Sequence, residues 1–200
     1  KVLQNRSDIW NNEVIFNRGD WVKIKAPSGT GKTTLVHLLY KMRHDYSGNI
    51  FYDELNLMHI KSDVLSDYRQ HKISIIFQDM RLFSNLTVRE NIELKRIMYK
   101  EMYDAKMIDT MAERLSITHI MKQTAGTCSY GEQQRIAIIR SLMQPFEWLI
   151  MDEPFSHLDE ANTTKAVKLI EEECEKRKAG FILVDLNDDT RFEYSKQLSL

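Results

Sequence analysis

Apolar residues in this chain fall into short runs separated by longer stretches with helical spacing. The runs Trp21–Lys25, Ile73–Phe77, Trp148–Met151 and Phe181–Val184 are brief and mostly apolar. Strands buried on both faces read this way, whereas a strand with one wet face alternates strictly. These four are predicted to form a mainly parallel sheet. Asn49–Tyr52, just after Gly48, reads as part of a small antiparallel piece. Between Thr87 and Lys122 the pattern turns helical almost throughout, with Ile92, Ile97, Met98, Met102, Ile108, Met111 and Leu115 recurring at roughly helical spacing. Thr87 with Glu90 makes a capping box at its start. Strands alternating with helices predict an α/β fold, its sheet covered by helices. No repeat or linker divides residues 1–200, so one domain is expected, with a helical subdomain at about 85–145 inserted in the α/β core.

Composition narrows the partners more than the fold. The 200 residues are 42% hydrophobic and 28% charged, an ordinary globular balance large enough for a real core. A net charge of -1 supplies no basic face for nucleic acid, so no nucleic-acid partner is expected. No apolar run approaches the about 20 residues that span a bilayer. Nor does a basic, apolar leader open the chain, so a soluble protein is expected. Cys128 and Cys174 are isolated, without metal-like spacing, as in a reducing cytosol. The ten methionines read as flexible core filler, and Glu171-Glu172-Glu173 with Glu175 to Lys178 as one solvated helix face.

Chemistry enters at Ala26-Pro27-Ser28-Gly29-Thr30-Gly31-Lys32-Thr33-Thr34, between a predicted strand and an amphipathic helix carrying Leu35, Leu38 and Leu39. That strand–loop–helix setting is what a phosphate-binding P-loop requires. Gly29 and Gly31 allow the backbone to turn its amides onto phosphate oxygens, and the helix N-terminus adds partial positive charge. Ser28 to Thr34 are thus the candidate nucleotide contacts. Lys32 would reach the β- and γ-phosphates and the Thr33 hydroxyl would ligate Mg²⁺. Ala26 stands where the motif has its first glycine, which is tolerable if its φ is negative. Farther on, the apolar strand at 148–151 ends in Asp152-Glu153. Adjacent side chains at a strand end point to different sides, so the two acids can divide the work. Asp152 is the candidate Mg²⁺ holder, and Glu153 the base that polarises the attacking water.

Three further segments resemble the ATP-binding cassette (ABC) ATPases in particular. Phe77-Gln78-Asp79 resembles the family's Q-loop, Cys128-Ser129-Tyr130-Gly131-Glu132-Gln133-Gln134-Arg135 its signature motif, and Ser156-His157-Leu158-Asp159 its D-loop. Their order and spacing match from about residue 13 to the end. The resemblance implies a P-loop NTPase core in the ABC ATPase fold. It implies that Gln78 touches Mg²⁺ and the water and reports to a membrane subunit. It further implies that Ser129, Gly131 and Glu132 bind the γ-phosphate of an ATP held by a second cassette, a homodimer partner or a homologue, packed head to tail. Ser129 and Glu132 also form a second capping box, opening a helix through Ile136, Ile139 and Leu142.

The chain departs from the family pattern in three places. Tyr130 replaces the first glycine of the signature. Asp185-Leu186-Asn187-Asp188 follows the last predicted strand where the switch histidine belongs, and no histidine occurs after His157. Trp10 is the sole aromatic near the position that stacks on adenine, and it reads better as packing. The function expected is an ATP-hydrolysing subunit, using ATP and Mg²⁺, that energises a transmembrane permease from the cytoplasmic face of the membrane. Leu82 to Ile92 resembles cassettes of the lipoprotein-release and macrolide-export type. The alternative is a regulatory cassette that closes on ATP and hardly hydrolyses it. A cassette of DNA repair or translation is disfavoured by the missing basic stripe and heptads.

Overall fold

The computed structural model describes residues 7–99, 103–188 and 190–200. Five strands form one sheet: β1 (Trp21–Lys25), β4 (Ile73–Ile76), β5 (Trp148–Asp152), β6 (Gly180–Asp185) and β7 (Lys196–Ser199). Their order is β4-β5-β6-β1-β7, and every pairing in it is parallel. Two short strands, β2 (Phe51–Tyr52) and β3 (Leu55–Asn56), pair antiparallel as a separate hairpin. The helices are α1 (Lys32–Leu39), α2 (Ser62–His71), α3 (Val88–Arg96), α4 (Ala105–Arg114), α5 (Tyr130–Leu142) and α6 (Glu160–Arg177).

The unbroken apolar runs have a direct cause: both sheet faces are covered. Leu149, Met151, Phe181 and Leu183 point into a cluster with α3, α4, α5 and α6. Their neighbours Ile150, Ile182 and Val184 point the other way, into a cluster with Leu35 and Val36 of α1 and Tyr68 of α2. Fully burying such a side chain is worth about 1.5–3 kcal/mol, against about 1 kcal/mol net for a hydrogen bond. Packing therefore outweighs the ladder in holding the sheet between its two helix layers.

Three expectations need correction. The helical reading of 87–122 holds only in parts. α3 ends at Arg96 and a short 3₁₀ turn, Ile97–Tyr99, follows; α4 begins at Ala105. Ile92, Ile108, Met111 and Leu115 are buried as the spacing required, but Ile97 and Met98 are exposed and Met102 lies outside the described residues. The strand predicted at Asn49–Tyr52 contracts to Phe51–Tyr52. β7 was not predicted at all: it reads Lys-Gln-Leu-Ser, lies at the sheet edge beside β1 and is only half covered.

The Thr87 capping box is present, with the Thr87 hydroxyl accepting from the Glu90 amide and the Glu90 carboxylate accepting from the Thr87 amide. Thr87→Ala is expected to lower stability by about 1 kcal/mol, read as a shift in the urea midpoint. An unchanged midpoint would mean that the Thr87–Thr124 bridge alone fixes this helix end.

Candidate active site

β1 runs directly into the phosphate loop. Ala26 is fully buried and keeps a negative φ, so the missing first glycine costs the loop nothing in backbone strain. The Thr30 amide and hydroxyl both donate to the Pro27 carbonyl, at 3.2 and 2.7 Å, closing the turn. Gly31 then takes φ 104°, a left-handed value that disfavours a side chain, and caps α1. No side chain caps this helix and no acid sits in its first turn, which leaves its first amides available to an anion. Ser28 and Gly29 are exposed, while Thr30, Gly31, Lys32 and Thr34 are partly covered. The Trp10 ring packs beside the loop, 3.6 Å from where a Cβ on Gly31 would lie, and joins the α1-side core at its margin.

β5 delivers the two carboxylates. Asp152 and Glu153 are both buried. Lys32 Nζ lies 3.2 Å from Glu153 Oε1, joining loop and strand end in an ion pair that is itself about nine-tenths covered. Glu153 has φ 46°, the left-handed region, and its amide donates to the Val184 carbonyl at 2.9 Å. Burial pushes the Asp152 carboxyl up to about 6, helped by the charge of Glu153; Lys32 and Thr33 act against the shift. Asp152 Oδ1 is buried without a hydrogen-bond partner.

Thr33, Gln78 and Asp152 line one cleft of about 200 Å³, together with His37, Phe77, Asp79 and Arg81. Hydroxyl, carboxamide and carboxylate are hard oxygen donors, and the buried Asp152 Oδ1, which has no hydrogen-bond partner, is open to a cation. The residues therefore fit Mg²⁺. Among the described residues no three His, Cys, Asp or Glu side chains gather as a metal site. Such sparse protein ligation suits Mg²⁺, which keeps waters and binds substrate phosphates. The loop after Gln78 is bent by two left-handed residues, Met80 (φ 57°) and Arg81 (φ 48°). Arg140 of α5 fastens it, donating to the Met80 and Arg81 carbonyls at 2.6 and 2.7 Å.

The signature segment lies elsewhere: Ser129, Gly131 and Glu132 do not line that cleft. Ser129 caps α5, and its amide and hydroxyl both donate to the Glu132 carboxylate at 2.8 Å. Those two bonds hold the Glu132 carboxyl below the usual carboxylate range. Gly131 is required by close approach, since a Cβ there would stand 2.8 Å from the His157 carbonyl oxygen. Tyr130 is two-thirds exposed and its ring lies 5.3 Å from that of His157.

Where the switch histidine is missing, the chain has ion pairs. Asp185 lies 3.9 Å from buried Lys23 and 3.2 Å from Arg191, and Asp188 lies 2.6 Å from Lys25. The segment after β6 is thus tied by charge to β1. The sequence reading missed Arg140 and Gln134. Gln134 is buried, donates to the Glu153 carbonyl and the Ser156 hydroxyl, and accepts from the His157 amide. One sign was available: Gln134 sits four residues before Ile138, on the buried face of its helix.

A family model described as ABC transporter matches residues 11–156. The chain is 30% identical over 190 residues to YvcR of Bacillus subtilis, an uncharacterized ABC transporter ATP-binding protein, covering 93% of this chain and 72% of that protein. It is 28% identical to the lipoprotein-releasing system ATP-binding protein LolD 1 of Rhodopseudomonas palustris, covering 88% and 80%. With the thiamine import ATP-binding protein ThiQ of Escherichia coli it shares 31% identity, covering 84% and 70%. Its fold is similar to the dimeric bacterial ABC transporter cassette MJ0796, with TM-score 0.74 and 26% identity over 87% of this chain and 78% of that one. A post-hydrolysis dimer of the same cassette, bound to ADP and Pi, gives a TM-score of 0.75.

The position of Trp10 gives a direct readout. A nucleoside triphosphate seated on the loop at 28–34 is expected to change tryptophan emission, and Trp10→Phe should remove the change. A full response in Trp10→Phe would assign it to Trp21 or Trp148 instead.

Proposed function

The chain belongs to the ABC transporter family as an ATP-binding cassette with ATPase activity, and on that premise we propose that it energises a membrane permease, paired head to tail with a second cassette. The observation that carries this reading is the convergence of the phosphate loop, the Lys32–Glu153 pair and the Thr33–Gln78–Asp152 cleft on one end of the sheet. Lys32 and the amides of residues 28–34 hold the triphosphate. Thr33, Gln78 and Asp152 hold Mg²⁺, which when bound neutralises charge developing on the transferred phosphoryl group. Glu153 takes the proton of the attacking water. Ser129, Gly131 and Glu132, outside the cleft of their own chain, meet the nucleotide of the second cassette. The dimeric form of a similar cassette supports this pairing.

We read residues 85–145 as the helical subdomain that meets the permease beside the Gln78 loop. No helix among the described residues is long and apolar enough to cross a membrane. The proposed place of the subunit is the cytoplasmic face of the membrane, beside its permease. A role in lipoprotein release or macrolide export is the finer reading. Similarity to LolD 1 supports it, while similarity to a thiamine importer shows that identity near 30% does not separate the classes. Charge reversal at exposed positions of α3 tests the docking face: transport should fall while ATP binding persists.

Glu153→Gln is expected to lower Mg·ATP hydrolysis by about 100-fold or more while ATP still binds. Lys32→Ala should instead weaken ATP binding itself. Tight binding by the unaltered chain with negligible turnover, even beside its permease, would favour the regulatory cassette. The ion pairs that replace the switch histidine are the observation on that side.

A further inference from the structure

We infer that Gln134 is a positioning residue for hydrolysis: its carboxamide holds the backbone of Glu153 in the one conformation that aims the Glu153 carboxylate at the phosphate loop. The inference rests on the reading of Glu153 as the base. Glu153 is a residue with a Cβ in the left-handed region, at φ 46°, where L residues are disfavoured and persist only when their surroundings over-determine them. Two bonds from two different elements do so. On one side the Glu153 amide donates to the Val184 carbonyl of β6 at 2.9 Å. On the other the Glu153 carbonyl accepts from Gln134 Nε2 of α5 at 3.1 Å, beside a longer bond from the Ser156 amide three residues on, at 3.3 Å.

The Gln134 side chain is fully used at this place. Its second donor goes to the Ser156 hydroxyl at 3.2 Å, and its Oε1 accepts from the His157 amide at 2.9 Å. Gln134 is 1% exposed, so no water replaces these partners if the carboxamide is lost. Without it the Glu153 carbonyl keeps only the longer local bond from the Ser156 amide, at 3.3 Å, which leaves the backbone room to relax from its left-handed φ and the carboxylate to leave its place 3.2 Å from Lys32. Gln134 makes its hydrogen bonds with Glu153, Ser156 and His157, and none with Lys32 or the loop at 28–34. Its loss should therefore act on the hydrolytic step and spare nucleotide binding.

The same region supplies a matched comparison. Gln144, just past α5, is also buried and also donates to backbone carbonyls, those of Arg69 and Ile73, at 3.1 and 3.0 Å. It lies past the opposite end of α5 from Gln134, and its bonds go to α2 and β4 rather than to the segment after β5. Gln134→Met and Gln144→Met remove the same kind of group from the same core.

The experiment measures kcat, ATP affinity and Tm of the full chain in the unaltered form and in Gln134→Met, Gln144→Met and Glu153→Gln. Gln134→Met is expected to lower kcat by roughly 10- to 100-fold, the scale of an ångström-level misplacement of a reacting group, with ATP affinity within about twofold of the starting value. Gln144→Met should lower Tm and leave kcat in place. In a Glu153→Gln background Gln134→Met should add no further loss of ATP binding. If Gln134→Met is too unstable, Gln134→Asn, which withdraws the carboxamide by one methylene, should show the same separation of kcat from affinity. The inference is overturned if Gln134→Met keeps full kcat, if ATP affinity falls as far as kcat, or if Gln144→Met lowers kcat equally. Turnover surviving in Glu153→Gln would instead remove the base itself and with it the reading on which Gln134 depends.

Discussion

Strands β1, β6 and β5 lie side by side in parallel, with Ile24, Val184 and Asp152 in one row across them. Every distance at the site follows from that row. The bonds just beyond it, Ala26 amide to Asp185 carbonyl and Glu153 amide to Val184 carbonyl, carry the alignment past the strand ends. With neighbouring strands about 4.8 Å apart, the ends of β1 and β5 are separated by roughly 10 Å. One lysine side chain from the loop and one glutamate from the strand close that gap, and Lys32 and Glu153 do so. A slip of one residue in β5 would turn Asp152 and Glu153 to each other's faces and undo the proposed division between metal holder and base.

Helix α5 takes up the same ends from the other side. Gln134 grips the chain after β5 and Arg140 the chain after β4, two loops that both contain left-handed residues. These side chains stand six residues apart, so about 9 Å of helix separates the two grips. The segment that begins with Ser129 is therefore one rigid piece with the anchors of Glu153 and of the Gln78 loop. Burial lowers the Arg140 pKa to about 10, still well above neutrality, so its charge remains available to both carbonyls.

What the sequence made legible had local causes. The loop at 28–34 shows its glycines and lysine within seven residues, and the boxes at Thr87 and Ser129 need only four residues each. The buried strands stand out because both their faces are covered. β7 was hidden because an edge strand beside β1 can be as polar as Lys-Gln-Leu-Ser. Ile97 and Met98 misled because helical spacing cannot tell where α3 stops and a 3₁₀ turn begins. Gln134 and Arg140 were hidden for another reason: their partners are backbone carbonyls 19 and about 60 residues away, and carbonyls leave no mark in a sequence.

The pair between Lys32 and Glu153 has a consequence for the resting cassette. On the proposed roles, the lysine for phosphate and the carboxylate for water face each other across 3.2 Å before nucleotide arrives. A triphosphate that takes the lysine also takes the partner of the glutamate, so filling the loop and freeing the carboxylate would be one event.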